Sequence, residues 1–340
     1  MKPTALMALP AIVAAQLSLA ENAGEVPEHA RASYQACLSH MVNTADGEMT
    51  LAELRHTCRQ MLAAEAGATR SEAREQAQEN ALQTRREMEA LNRSNRFLLT
   101  PHHRNYILPA VYTDRPNEAP FDEAYGEDVS LQNTEIEFQI SLKVLIAQDL
   151  FHNNGNLYVA YTNHSYWQAY NTDISRPFRE TNHEPELIVS VDNDWELFGF
   201  RNVINQVSLA HQSNGQAGSL SRSWNRIKFT SIFERGNLAL ALTPWYRLPE
   251  DSDKDDNPDI ADYYGHYELT GAYTRNHHIL SFMTRRPFSS RGALELSWSF
   301  PVSSTVRGFI QYFDGYGASL IDYNEDTQSI GLGVVFTDLF

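Results

Sequence analysis

The sequence predicts an all-β protein: a twelve-stranded antiparallel transmembrane β-barrel that follows a helical N-terminal extension. Two features of the chain after Asn105 favour this fold, namely the spacing of its apolar residues and the alternation of short and long connections. A third feature is the last predicted strand, which alternates apolar and polar residues and leads to the terminal aromatic Phe340, as in many outer-membrane barrels.

The strands are predicted from segments rich in aromatic and β-branched residues that alternate with a period of two. An even number of such segments agrees with the even strand count of bacterial membrane barrels. The twelve predicted strands lie at about 105–113, 134–147, 156–168, 183–191, 195–213, 223–235, 238–248, 263–275, 278–287, 292–300, 304–322 and 328–339.

The connections between these strands fall into two classes. Tight turns are predicted at Asp192–Asp194 and at Gly236–Asn237, whereas long loops are predicted at 114–133, 169–182, 214–222 and 249–262. Short turns at one end and long loops at the other are the arrangement of a transmembrane barrel. A soluble β-sandwich is the alternative, because each barrel strand taken alone is a weak signal.

Residues 1–20 have the pattern of a secretory signal peptide. Lys2 is basic, the stretch 6–19 is apolar, and Ser18, Leu19 and Ala20 precede a predicted cleavage before residue 21. A buried N-terminal helix is the alternative. No later run of about 18 apolar residues follows, so no transmembrane helix is expected.

Residues 21–104 are rich in Ala, Glu, Arg and Gln with helical spacing, which predicts a helical, partly disordered extension before the barrel at 105–340. Cys37 and Cys58 are the two cysteines of the chain. In an exported protein an isolated pair indicates a disulfide. A zinc site with His40 and His56 is the alternative.

The charge of the chain limits the class of partner. The formal net charge is −16 at pH 7, and no basic stripe is present to neutralise phosphates. We therefore expect no nucleic-acid partner.

His211 and Ser213 are two residues apart at the end of a predicted strand, so their side chains are expected on one face. Val203, Val207 and Leu209 share that face by parity, and the apolar face of a membrane barrel contacts lipid. The imidazole and the hydroxyl are therefore predicted on the outer wall, where the strand enters a long loop.

Asn225 on the next predicted strand has the parity of the apolar Ile227 and Phe229, which places its amide on the same outer wall. A serine, a histidine and an amide can act as a nucleophile, a general base and an orienting group. The alternative is ordinary turn chemistry, since Ser-Asn-Gly is common in turns and a lone His-x-Ser has little specificity.

The segment 211–226, which reads H-Q-S-N-G-x5-S-R-S-W-N-R, resembles the outer-membrane phospholipase A family. Further segments that carry the resemblance are 177–182, 255–260 and 315–324, and the resemblance covers about 105–340. The family has a twelve-stranded barrel and a Ser-His-Asn triad. The resemblance implies that Ser213 is the nucleophile, His211 the base and Asn225 the orienting residue.

The resemblance also implies a calcium ion, Ca²⁺, at the site where the oxyanion forms. Its implied ligands are Ser221 and the backbone carbonyl of Gln216, with Ser175 reaching the site of a partner subunit. Gln216 stands where the family pattern leads us to expect arginine. Asn163 stands where a glutamine that helps to stabilise the oxyanion is expected.

The activity implied is calcium-dependent hydrolysis of sn-1 and sn-2 acyl esters of glycerophospholipids and lysophospholipids. The protein is expected to reside in the outer membrane, to be active as a homodimer and to have its N-terminal extension in the periplasm. One alternative is a non-enzymatic barrel that serves as a pore or adhesin. A soluble secreted lipase is disfavoured, because the chain lacks a G-x-S-x-G nucleophile elbow.

An aspartate run in the loop after the seventh predicted strand imitates a calcium-binding EF-hand. Asp251, Asp253, Asp255 and Asp262 occupy the ligand positions, but Asp256 replaces the required glycine and the flanking segments are strands. We therefore interpret the run as a solvated loop.

Overall fold

The computed structural model describes residues 98–126, 129–303 and 306–338, together with 36–37, 39–41, 53–58, 60–61, 82, 85–86 and 89. The predicted signal peptide and Phe340 lie outside these residues. The chain divides into two compact units, residues 1–72 and 73–340. In the first unit the described residues are helical, and Cys37 and Cys58 form a disulfide, as predicted.

The second unit consists mainly of strands. It also contains the short helices α1 (Ala119–Tyr125) and α2 (Ile260–Tyr264) and a 3₁₀ turn (Gly218–Leu220). The strands are β1 (Thr100–Pro101), β2 (Asn105–Thr113), β3 (Thr134–Ala147), β4 (Asn156–Trp167), β5 (Phe178–Leu197), β6 (Phe200–Ser213), β7 (Ser223–Arg235), β8 (Leu238–Arg247), β9 (Tyr267–Arg275), β10 (His278–Arg285), β11 (Ala293–Pro301), β12 (Arg307–Tyr316) and β13 (Asp326–Thr337).

Strands β2 to β13 close into a barrel of twelve antiparallel strands. Each pairs with its neighbours in the chain, and β13 also pairs with β2. The two-residue β1 pairs with Leu142 and Lys143 of β3. Because the sheet closes, the backbone N–H and C=O groups of its first and last strands pair with each other. The bilayer core requires such pairing of any sheet that spans it. The predicted fold is confirmed.

The prediction misplaced one turn. Asp192–Asp194 lies within β5, where the pairing with β6 shifts register between Asp192 and Trp195. The chain reverses instead at Phe198 and Gly199, whose φ angles are 52° and 77°. Two consecutive positive φ angles are the requirement of a type I′ turn, a two-residue hairpin turn that matches the twist of the strands.

The predicted strand 304–322 is also too long, because β12 ends at Tyr316. Gly317 has a φ of 76°, and a Cβ atom placed there would lie 2.5 Å from the ring of Tyr264. The chain therefore leaves the wall here and forms a loop over the barrel end. The predicted strand 263–275 is shortened for a similar reason, since α2 occupies its start.

The two faces of the barrel wall differ in polarity. Val207, Leu209 and Phe229 point outward with 49%, 51% and 45% of their surface exposed, whereas Ser208 and Arg226 point inward and are buried. Apolar residues outside and polar residues inside are the pattern of a membrane barrel. No helix among the described residues is both long and apolar enough to span a bilayer.

The expectation that Val203 faces outward is wrong. The pairing of β6 with β7 shifts register between Asn202 and Ile204, which inverts the parity of this end of the strand. Val203 is fully buried and clusters with Leu82, Ile204 and Ala239. Parity still holds from Gln206 to Ser213, where the pairing is continuous.

Candidate active site

The predicted triad lies on adjoining strands at the barrel end that carries the long loops. His211 pairs directly with Asn225, and Ser213 pairs with Ser223 across β6 and β7. Directly paired residues on antiparallel strands share a face. The structure therefore places all three predicted side chains on the outer wall, with His211 exposed and Ser213 and Asn225 half-buried.

The imidazole of His211 is hydrogen-bonded to the amide of Asn225, with 2.9 Å between Nδ1 and Oδ1. When Oδ1 accepts, Nδ1 carries the ring proton and Nε2 is left with a lone pair. Within the described residues, no hydrogen bond joins Ser213 to His211. In hydrolases without substrate this bond is often long and tightens only when the complex forms.

The buried side-chain amide of Asn214 makes several of the hydrogen bonds that hold the loop after Ser213. The side chain of Asn214 donates to the carbonyl of Leu220 at 2.8 Å and accepts from the backbone N–H groups of Gln216 and Arg222 at 3.3 and 3.0 Å. These bonds fix the backbone that contains the predicted carbonyl ligand, Gln216. They also bring Ser221 back beside the start of β7.

Ser221 lies beside a carboxylate that the sequence analysis did not select. Its hydroxyl donates to Oδ2 of Asp256 at 2.7 Å, and Ser223 donates to the same oxygen at 3.5 Å. Hydroxyl, carboxylate and carbonyl oxygens are the ligands that calcium prefers. Asp256 could have been selected from the sequence by its position, because it belongs to the segment 255–260 that carries the family resemblance.

The other aspartates of this loop have separate partners. Asp255 pairs with Arg247 at 2.6 Å, and the exposed Asp251 pairs with Lys254 at 3.1 Å. Asp253 is exposed. Asp251 and Asp255 therefore pair with different cations, which fits the interpretation of a solvated loop.

The structure does not bring Ser175 to the triad within one chain. Ser175 is exposed in the loop between β4 and β5, where its φ is 61°. The neighbouring Arg176 fixes this loop, since its backbone N–H donates to the carbonyl of Asn171 at 3.0 Å. Ser175 is therefore accessible at the surface of the chain.

Asn163 lies two strands from the predicted nucleophile. It pairs with His183 on β5, and His183 in turn pairs with Ser213 on β6. Two strand spacings separate the backbones of Asn163 and Ser213 by about 10 Å. His183, which the sequence analysis missed, lies between them, and its Nδ1 is 2.6 Å from the hydroxyl of Tyr161.

Beneath the long loops lies a buried ion-pair network centred on Asp322. Its carboxylate pairs with Arg179 at 2.8 Å and accepts hydrogen bonds from Ser319 and Asn117 at 2.6 and 3.1 Å. Burial by itself would raise the pKa of Asp322, but the Arg179 guanidinium and the hydrogen bonds hold the pKa below its ordinary value. Arg179, Ser319 and Asp322 lie in segments that carry the family resemblance, so part of that resemblance reflects residues that support the loops.

We expect Asp322→Asn to lower the free energy of unfolding by about 1–3 kcal/mol, because the buried Arg179 then loses one of its two carboxylate partners. Since the carboxyl pKa is depressed in the folded state, this stabilisation is present above the unfolded pKa and disappears as pH falls through the folded value. Urea unfolding in detergent across acidic pH would measure the difference. The exposed Asp326→Asn is the matched control, and equal curves for the two variants would contradict the expectation.

One histidine cluster lies outside this site. Ligand atoms of His102, His103 and Glu186 lie within 4.8 Å of one another. However, Glu186 pairs with Lys228 at 2.8 Å and with His102 at 3.0 Å. The carboxylate of Glu186 thus already has partners on the inner wall. A metal ion bound here would place further positive charge beside Lys228, which disfavours a metal site.

The sequence model of the Phospholipase A1 family matches residues 82–336. The chain belongs to this family. Over 248 residues it is 38% identical to a putative phospholipase A1 of Neisseria meningitidis, covering 70% of this chain and 65% of that protein. It is 36% identical to a phospholipase A1 of Klebsiella pneumoniae, covering 72% of this chain and 85% of that protein.

Solved structures of the family agree with this assignment. The outer membrane phospholipase dimer of Salmonella typhi with bound calcium superposes with a TM-score of 0.68 at 34% identity, covering 72% of this chain and 94% of that one. The outer membrane phospholipase A of Escherichia coli gives 0.66 at 34% identity, covering 72% and 100%. Family membership confirms the prediction of an outer-membrane phospholipase, a hydrolase.

Proposed function

We propose that this family member is a calcium-dependent phospholipase that hydrolyses sn-1 and sn-2 acyl esters of glycerophospholipids and lysophospholipids. The observation that carries the proposal is the hydrogen bond between His211 and Asn225 on the outer wall, beside Ser213. Polar groups on a lipid-facing surface are costly near the bilayer midplane. Their position at the rim of an apolar wall suits a substrate that is itself amphipathic.

The chemistry starts at Ser213. Its Oγ attacks the ester carbonyl while Nε2 of His211 takes the hydroxyl proton, and the imidazolium then protonates the departing alkoxide. Asn225 accepts from Nδ1–H throughout, which holds the ring orientation and the tautomer. Water repeats the sequence on the acyl-enzyme and releases the fatty acid.

The residues that would hold calcium are Ser221, Asp256 and the backbone carbonyl of Gln216. The fit rests on chemistry: all are oxygen donors, and the Ser221 hydroxyl and the Asp256 carboxylate oxygen are 2.7 Å apart. When bound, calcium would stabilise negative charge on the tetrahedral oxygen. Asp256, from the β8–β9 loop, brings negative charge next to Ser221, whereas Gln216 is neutral.

We also propose that the active form is a homodimer in which Ser175 serves the site of the partner subunit. The outer wall near Ser213 carries exposed apolar side chains on β4, β5 and β6, including Tyr161, Leu187 and Leu209. A second barrel packed on this wall would form a groove for an acyl chain. The related Salmonella typhi structure is a dimer with bound calcium.

Dimer dependence predicts that specific activity falls when enzyme is diluted in detergent, because substrate and calcium favour the dimer by mass action. Ser175→Ala is expected to raise the calcium needed for half-maximal rate. The measurement is activity against the enzyme-to-detergent ratio, with crosslinking in parallel. Constant activity per molecule while crosslinked dimer disappears would show that the monomer is sufficient.

The outer membrane is the site at which this family acts, and we propose that residues 1–20 are a signal peptide and that 21–104 lie in the periplasm as a separate extension before the barrel at 105–340. The proposal is consistent with the disulfide between Cys37 and Cys58, since disulfides persist in exported proteins. Protease accessibility in intact and in permeabilised cells would test the placement.

The direct test of function is fatty-acid release from phospholipid in detergent by the purified full chain, with and without calcium. Release that requires calcium supports the proposal. A folded barrel that releases no fatty acid at any calcium concentration would instead indicate a pore or an adhesin. Position-labelled phospholipids would show whether both the sn-1 and the sn-2 esters are cut.

A further inference from the structure

The amide of Asn225 has a second partner besides His211. Its Nδ2 donates to Oε1 of Glu250 at 3.0 Å, while its Oδ1 is the atom that bonds to His211. Glu250 lies three residues after the end of β8 and is half-buried. A carboxylate, an amide and an imidazole therefore form one hydrogen-bonded chain on the outer wall.

Strand pairing explains how Glu250 reaches this position. The last β7–β8 pair is Arg226 with Arg247, and the backbone N–H of Leu248 donates to the carbonyl of Asn225 at 2.8 Å. The ladder is thus extended by one residue beyond β8. Pro249 has no N–H, so regular pairing stops there. Glu250, two residues after Leu248, has the parity of the outer face.

We propose that Glu250 is a positioning residue for the triad, an inference that rests on the proposed phospholipase function. A side-chain amide can bind His211 in two orientations related by rotation through 180°. In the reversed orientation Nδ2 would donate to Nδ1 of the ring. The ring proton would then sit on Nε2, which could no longer accept the proton of Ser213.

Glu250 selects the productive orientation because an ionised carboxylate only accepts hydrogen bonds. Nδ2 of Asn225 must face it, so Oδ1 must face His211. Both hydrogen bonds then run in the same donor direction, from His211 to Asn225 and from Asn225 to Glu250, which leaves Nε2 of His211 to accept from Ser213. Glu250 can select this orientation of the Asn225 amide without contacting the substrate.

Glu250 also supplies charge that the amide lacks. Its negative charge polarises the Asn225 amide and favours the imidazolium that forms during attack. Two consequences follow for a Glu250→Gln substitution. The value of kcat should fall, and the acidic limb of the pH–rate profile should move to lower pH. The sign follows because removing a nearby negative charge disfavours the protonated ring.

Other titratable or charged groups lie on the elements around this region and remain in every variant. His183 on β5 is bonded to Tyr161, and Asp256 in the β8–β9 loop is bonded to Ser221. Arg226 and Lys228 on β7 point inward and pair with Glu184. A change in the pH profile that appears only when Glu250 is substituted can therefore be attributed to the loss of the Glu250 carboxylate.

The test uses the full-length protein in detergent at saturating calcium, with kcat and KM measured across pH. We expect Glu250→Gln to lower kcat by about 3- to 10-fold and to move the acidic limb down by about half a pH unit, with KM unchanged. Glu250→Ala loses both orientation and charge, so its kcat should fall by about 10- to 30-fold. Asp253→Asn removes one exposed charge from the same loop and should change neither quantity.

A second arm distinguishes positioning from loop damage. In an Asn225→Asp background the residue accepts from His211 without needing a partner for Nδ2, so Glu250→Gln should cause no further loss of kcat. Coupling of this kind is what a double-mutant cycle isolates. An equal loss in both backgrounds would show that Glu250 acts only through loop structure, which overturns the inference.

Two other outcomes also overturn it: wild-type kcat and pH profile in both Glu250 variants, or a raised calcium requirement without a change in pH profile. The latter would make Glu250 a cation ligand. Failure of the proposed function gives a different result, because wild type and Ser213→Ala would then show the same background release.

Discussion

Ser213→Ala and His211→Ala are each expected to reduce fatty-acid release by ~10³-fold or more, because loss of either member disables the nucleophile–base unit. Asn225→Ala should cost less, on the order of 10- to 100-fold, since the amide orients the ring but does not take the proton. Initial rates on phospholipid in detergent at saturating calcium would rank the three variants.

The control for these variants is a folded barrel, shown by heat-dependent gel mobility equal to that of the wild type. Ser208→Ala is a matched substitution on the same strand, since Ser208 is buried on the inner face. It should retain wild-type rates. Wild-type turnover in Ser213→Ala would show that Ser213 is not the nucleophile. Equal losses of activity at all three positions would contradict the expected ranking.

Removal of calcium with a chelator is expected to abolish activity reversibly, by about 10²- to 10³-fold, which is the effect of losing stabilisation of an oxyanion. Ser221→Ala and Asp256→Ala should each raise the calcium needed for half-maximal rate by about tenfold, equivalent to about 1.4 kcal/mol of binding free energy. Activity at a series of buffered calcium concentrations gives these midpoints.

The aspartate run supplies the control for this titration. Asp251→Ala and Asp253→Ala should leave the calcium midpoint unchanged, because both side chains are exposed and neither is bonded to Ser221. A shift in these variants, with none in Asp256→Ala, would mean that the ion is held elsewhere in the loop.

The shared face of the three proposed triad residues could be predicted from sequence because they lie close along the chain. His211 and Ser213 share a strand, and Asn225 lies on the next one, so parity alone places all three on one face. The period of two also gave the correct barrel and most strand boundaries. Parity fails only at a bulge, as at Val203, because an extra residue in one strand leaves no periodic signal.

Asp256 and Glu250 could not be placed in the same way. Both lie in the loop after β8, and their positions depend on contacts with Ser221 and Asn225 that no local pattern encodes. The turn at Phe198 and Gly199 was missed for a different reason. Asp192–Asp194 has the composition of a turn, whereas an exposed phenylalanine at positive φ is uncommon.

With Ser213 and His211 as the proposed nucleophile and base, their outward placement makes the proposed reaction a two-dimensional one. A lipid that meets this wall arrives by lateral diffusion within its own leaflet, so the relevant concentration is a mole fraction in a surface. Adding an inert amphiphile at constant bulk lipid would then slow turnover by surface dilution. The released acyl chain enters the same leaflet, and each turnover alters the composition of the solvent in which the next encounter takes place.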